Sequence, residues 1–105
     1  MYSISITIGR NIGNKPMDKD LWIEFKDAVN EQLLYLKLHI TVTNQGTGVW
    51  EGITEENFIV KGIREKPFAD NEIDRLAKNL SVLSAKFKQD AIAYSVGKSI
   101  LAFAE

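Results

Sequence analysis

The first nine residues alternate without a break: Tyr2, Ile4, Ile6 and Ile8 fall on one side, and Ser3, Ser5 and Thr7 on the other, before Gly9. Period-two spacing of β-branched residues is the mark of a strand buried on one face. The period then changes. Leu21, Trp22, Phe25, Ala28, Val29, Leu33 and Leu36 recur at helical spacing behind Asp18, a residue suited to capping a helix N-terminus, so a helix is expected over about 19–34. Between them, Arg10 to Pro16 carry the Gly, Asn and Pro of a loop.

Period two returns with Leu36, Leu38, Ile40 and Val42 against Lys37, His39, Thr41 and Thr43, which predicts a second one-sided strand. Asn44–Gly48 reads as a turn, Val49–Glu51 as a short extended piece, and 52–56 as another turn. A third strand is expected over Phe58–Arg64, with apolar residues on both faces, as suits a central strand. Asp70 can cap a second helix, in which Ile73, Leu76, Ala77, Leu80, Leu83 and Phe87 form a narrow apolar stripe. Ala91–Val96 and Ile100–Phe103 read as two short strands around Gly97-Lys98, a hairpin turn with glycine first.

The order β-α-β-β-α-β defines an α+β, ferredoxin-like architecture: an antiparallel sheet with both helices on one face, the last strand folded or not into a hairpin. Residues 1–105 are expected to form a single ferredoxin-like domain. The opposite face would show Ser3, Ser5, Thr7, His39, Thr41 and Thr43, with Tyr94, either to solvent or to the same face of another copy in a homo-oligomer.

Composition narrows the function classes. Thirteen basic residues against fourteen acidic ones, net charge −1, argue against general nucleic-acid binding. No apolar run reaches the roughly 18–20 residues of a membrane span, and no secretory signal pattern is visible, so a cytoplasmic location is expected. Zero cysteines exclude a thiol nucleophile and thiolate metal sites, and one histidine cannot build a multi-histidine centre. No cofactor and no metal is expected. His39 lacks a recognisable nucleophile or orienting acid, so a non-enzymatic protein is expected.

One constellation points to a ligand. In this pattern the first and third strands are expected as parallel neighbours at the sheet centre, so their C-terminal ends share one edge, and Arg10 and Arg64 sit side by side near two helix N-termini, with Lys15 and Lys66 in adjoining loops. Guanidinium forks and free backbone N–H groups fit phosphate or carboxylate oxygens. Alternatively, the two arginines pair with Asp18, Asp20, Asp70 or Glu72. Trp50 offers an aromatic surface for a base or sugar, or else caps the core. Glu51, Glu55 and Glu56 read as a solvated acidic loop, and Gln89 stands at a junction where it can serve as a cap or point into a site.

Several of these pieces occur together elsewhere. Ile4–Gly9, Gly48-Val49-Trp50, Glu55 or Glu56, and Phe87-Lys88-Gln89-Asp90-Ala91-Ile92 resemble a pattern of small uncharacterised bacterial and phage α+β proteins. The resemblance implies a compact, phage-borne accessory protein, with Trp50 and Gln89 as positions of interest. The resulting expectation is a protein that binds or sequesters a small anionic ligand, phosphorylated or nucleotide-derived, such as a host defence signal. Arg10, Lys15 and Arg64 would hold the anion, Trp50 would stack and Gln89 would assist. The alternative is an interaction module that inhibits a host protein through its sheet face or acidic loop.

Overall fold

The structure is a computed structural model that describes residues 1–98, the side chain of Trp50 lying outside that description. Along the chain run β1 (Tyr2–Gly9), β2 (Asn11–Ile12), β3 (Lys15–Pro16), α1 (Lys19–Leu33), β4 (Ile40–Trp50), β5 (Ile53–Arg64), α2 (Asp70–Lys86) and β6 (Ala93–Lys98). The main sheet has the order β4-β5-β1-β6, and each neighbouring pair is antiparallel. The expected α+β, ferredoxin-like architecture is therefore what the chain adopts, with β2 and β3 forming a small hairpin after β1.

Both helices bury their apolar stripes on one face of the sheet. Ile4, Ile6 and Ile8 of β1 and Phe58 and Val60 of β5 meet Trp22, Phe25, Val29 and Leu33 of α1 and Leu76, Leu80 and Leu83 of α2. Phe25 stacks on Phe87 with ring centroids 4.5 Å apart, which ties α1 to the end of α2. Asp18 caps α1 by accepting a hydrogen bond from the Leu21 N–H at 2.8 Å. Asp70 does not cap α2. The N-cap is Ala69, which has no side-chain oxygen, and Glu72 reaches back to accept from the Ala69 N–H at 3.0 Å.

The second strand lies later than the alternation predicts. Leu34–Leu36 tighten into a 3-10 turn after α1, Lys37 takes a left-handed backbone conformation (φ 51°), and β4 starts only at Ile40. Asn44–Gly48, expected as a turn, continue the strand through to Trp50. The reversal falls on Glu51 and Gly52, both with positive φ (49° and 78°). Two consecutive left-handed residues match the right-handed twist of the flanking strands, and this lets a two-residue connection join them. Residues 53–56, expected as turn, belong to β5.

The bend at His39 also exchanges the faces of β4. Thr41 and Thr43 stand opposite Gly62 and Val60 on the helix side, whereas Ile40 and Val42 join Ser3, Ser5 and Thr7 on the open face. Tyr94, opposite Ile6, is on the helix side too. The open face is thus less polar than the sequence indicated. Gly97 and Lys98 continue β6 opposite Ser3 and Tyr2, so no turn forms there. The strand expected over Ile100–Phe103 lies outside the described residues. No helix among those described is long and apolar enough to cross a membrane.

Candidate functional site

The pairing of β1 with β5 settles where the two arginines go. Tyr2 stands opposite Arg64 and Gly9 opposite Asn57, so the strands are antiparallel and not parallel as the sequence reading assumed. Arg10 and Arg64 therefore lie at opposite rims, separated by a strand length of roughly 24 Å at about 3.4 Å per residue. The split βαβ order is the cause: the strand between the two parallel ones must run against both. The side-by-side arginine site does not form.

Each arginine is also engaged within its own rim. Arg64 is 5% exposed. Its guanidinium donates to the Leu36 carbonyl at 2.6 Å, to Lys66 at 2.9 Å and to Pro67 at 2.8 Å, and it grips both carboxylate oxygens of Glu72. The Phe68 ring covers it, with 4.2 Å from ring centroid to guanidinium carbon. Arg64 thereby joins the end of α1, the β5–α2 connection and the first turn of α2. The paired guanidinium, assisted by the Ala69 N–H, lowers the Glu72 pKa to about 2.

At the other rim, Arg10 donates from Nε to the Met17 carbonyl at 2.9 Å and from Nη1 to Glu56 Oε2 at 3.0 Å. Lys15 is exposed in the small hairpin beside it. Gln89 donates from Nε2 to the Asn11 carbonyl at 3.0 Å, which fastens the α2–β6 junction to the start of that hairpin. Of the five residues singled out, then, Arg10, Lys15 and Gln89 share this rim. Trp50 ends β4 at the hairpin tip, paired with Ile53 across the turn, and Arg64 is at the far rim.

The same rim holds residues whose sequence has the glycines and acids of a loop. Successive residues of a strand point to opposite faces, so Glu56 turns to Arg10 on the helix side and Glu55 turns to the open face. Glu55 Oε2 accepts the Asn11 N–H at 3.0 Å. Its carboxylate lies over Gly9, where an added β-carbon would come within 2.5 Å of Oε1. Next along β5, half-buried Asn57 spreads its amide between Gly46 and Gly48: β-carbons there would lie 3.3 Å from Oδ1 and 2.9 Å from Nδ2. The two strands that flank β5 thus present bare backbone beneath one carboxylate and one amide that β5 supplies. The signal was the Gly-x-Gly of β4, which is uncommon inside a strand unless another group approaches closely.

This arrangement defines a ferredoxin-like protein with a polar, glycine-floored shelf at the C-terminal end of β1. No family model and no curated protein matches the sequence. Solved structures do match the fold. A phage SAM lyase in complex with S-methyl-5′-thioadenosine is similar at TM-score 0.58 and 18% identity, over 92% of this chain and 80% of that one. The phage SAM lyase in its apo state is similar at TM-score 0.56 and 18% identity, over 91% and 78%. A DUF3240 family protein from Shewanella baltica is similar at TM-score 0.52 and 11% identity, over 99% and 96%. These likenesses share the fold, and one of them is to a phage protein with a bound nucleoside. The expectation of a non-enzymatic protein is corrected here, because an enzyme, the phage SAM lyase, is among the solved structures that share this fold.

Proposed function

We propose that this chain binds a small nucleoside-type ligand, of the class of S-methyl-5′-thioadenosine or SAM, on the shelf formed by Gly9, Gly46, Gly48, Glu55 and Asn57, and acts on it. The observation that supports this reading most is the Glu55 carboxylate, fixed by the Asn11 N–H above a glycine, on a fold shared with a lyase solved with that nucleoside. The glycines leave the room in which the Glu55 carboxylate and the Asn57 amide lie close against the backbone, so both polar groups are held in place to meet a ligand. A side-chain amide offers a donor and an acceptor side by side, the pattern that reads the edge of an adenine. A carboxylate beside them favours a ligand with a positive centre, such as a sulfonium, or accepts from a ribose hydroxyl.

The anionic ligand expected from the arginines gives way to this class, since Arg10 meets Glu56 and Arg64 meets Glu72. Arg10 and Gln89 secure the rim from the helix side, while Lys15 and Trp50 border it. In this reading the ligand is a cytoplasmic metabolite, the chain is phage-borne, and a homo-oligomer encloses the open shelf.

The experiment is a thermal melt of the wild type and of Glu55→Gln with SAM and with S-methyl-5′-thioadenosine, alongside chromatography of the SAM incubation. A ligand at about one hundred times its Kd stabilises by about 2.7 kcal/mol. A rise in Tm that the Gln variant loses, with SAM consumed by wild type alone, supports the reading. No rise with either compound and no consumption refutes it.

A further inference from the structure

We propose that copies of this chain join edge to edge, the free edge of β4 in one copy pairing with the free edge of β6 in the next. This concerns assembly and stands independently of the ligand. Among the described residues, the order β4-β5-β1-β6 leaves β4 and β6 as the two outer strands of the sheet. Natural proteins guard such edges with charged side chains, proline or bulges, because unpaired N–H and C=O groups recruit other strands. Among the described residues, neither edge carries such a guard in its interior.

β4 runs for 11 residues, Ile-Thr-Val-Thr-Asn-Gln-Gly-Thr-Gly-Val-Trp, without a charge or a proline. In a chain that is 26% charged, that stretch stands apart. The strand it pairs with shows the contrast: β5, interior to the sheet, carries Glu55, Glu56, Lys61 and Arg64. Val42 and Val49 of β4 are 55% and 71% exposed. β6 is Ala-Tyr-Ser-Val-Gly-Lys, its one charge at the last position, with Tyr94 and Val96 also exposed.

The committed partner is a second copy, because the chain carries both halves of the contact. With no charge on β4 and only the terminal Lys98 on β6, the two edges meet without like-charge repulsion. Pairing β4 with β6 occupies both edges of every copy, whereas pairing β4 with β4 leaves each β6 open. Such a contact is head-to-tail, and it closes into a ring when the rotation between copies divides a full turn.

The test is light scattering on the full chain after size exclusion, for wild type and two sets of edge variants. Thr43→Lys with Thr47→Lys places charge on β4, and Val96→Lys places it on β6; all three positions are exposed. Wild type is expected as a multimer and each variant alone as a single chain. An equimolar mixture of the two is expected as a one-to-one pair, joined through the β6 edge of the first and the β4 edge of the second. A monomeric wild type overturns the proposal, as does a Val96→Lys chain that still dimerises, or assembly insensitive to both changes. Hydrogen exchange on unmodified protein gives an independent reading, should a variant unfold. Outward amides of β4 and β6 are expected to lose protection on dilution, and protection independent of concentration contradicts the pairing.

Discussion

Gly9 and Glu55 meet across the rim of the sheet so closely that a single β-carbon at position 9 would lie 2.5 Å from Glu55 Oε1. The carboxylate is the far end of a mobile side chain, so Gly9→Ala is expected to push it aside and cost stability only modestly. It would also free the Asn11 N–H that Glu55 accepts. The expected outcome is a fall in Tm of a few degrees, equivalent to about 1 kcal/mol for a domain of this size, with loss of the ligand-dependent rise. A Gly9→Ala chain that retains the full rise would remove Glu55 from the site.

Arg64 is a structural residue, and its removal is expected to be severe. Three carbonyls and the Glu72 carboxylate converge on one buried guanidinium. Stripping one partner from a buried ion pair costs about 3–5 kcal/mol, so Arg64→Ala should unfold at markedly lower urea. Arg64→Lys should recover little, because an ammonium cannot copy the planar fork. Denaturant titration measures both.

The same pair sets an acid limit. Glu72 has a folded-state pKa of about 2, below the ordinary value of 4.5. A depressed carboxylate contributes stability above its unfolded pKa and loses it as pH falls through the folded one. Stability should therefore decline from about pH 4.5 towards 2. Glu72→Gln should be less stable at neutral pH and should show a flatter profile in that window, as followed by thermal melts at graded pH.

The hairpin turn can be improved. Glu51 holds φ 49° and Gly52 φ 78°. Asn is the residue most at ease at the first position of such a turn, so Glu51→Asn is expected to stabilise by roughly 0.5 kcal/mol. Gly52→Ala should destabilise by about 1–2 kcal/mol, the cost of a left-handed β-carbon. Equilibrium unfolding of the two variants checks the opposite signs.

The architecture was legible because β1, α1 and α2 each carry an unbroken period, and their order admits few sheets. The boundaries of β4 were not. A polar run with two glycines reads as a turn unless the facing residue is known, and only the register shows Asn57 filling the space that Gly46 and Gly48 leave. The rim containing Arg10 and Gln89 was within reach of the sequence. The position of Arg64 is set by the direction of β5 against β1, which the period of neither strand encodes, and that direction moves it the full length of β1. Glu55 and Glu56 read in the sequence as one acidic loop, and only their placement in β5 sends them to opposite faces with separate partners.

Amide NMR during titration with S-methyl-5′-thioadenosine tests the ligand shelf most directly. Resonances of Gly9, Asn11, Gly46, Gly48, Glu55 and Asn57 should move together and saturate, with those of Tyr2 and of 64–66 at the far rim unchanged. Movement confined to the Arg64 rim, or none at all at saturating nucleoside, would contradict it.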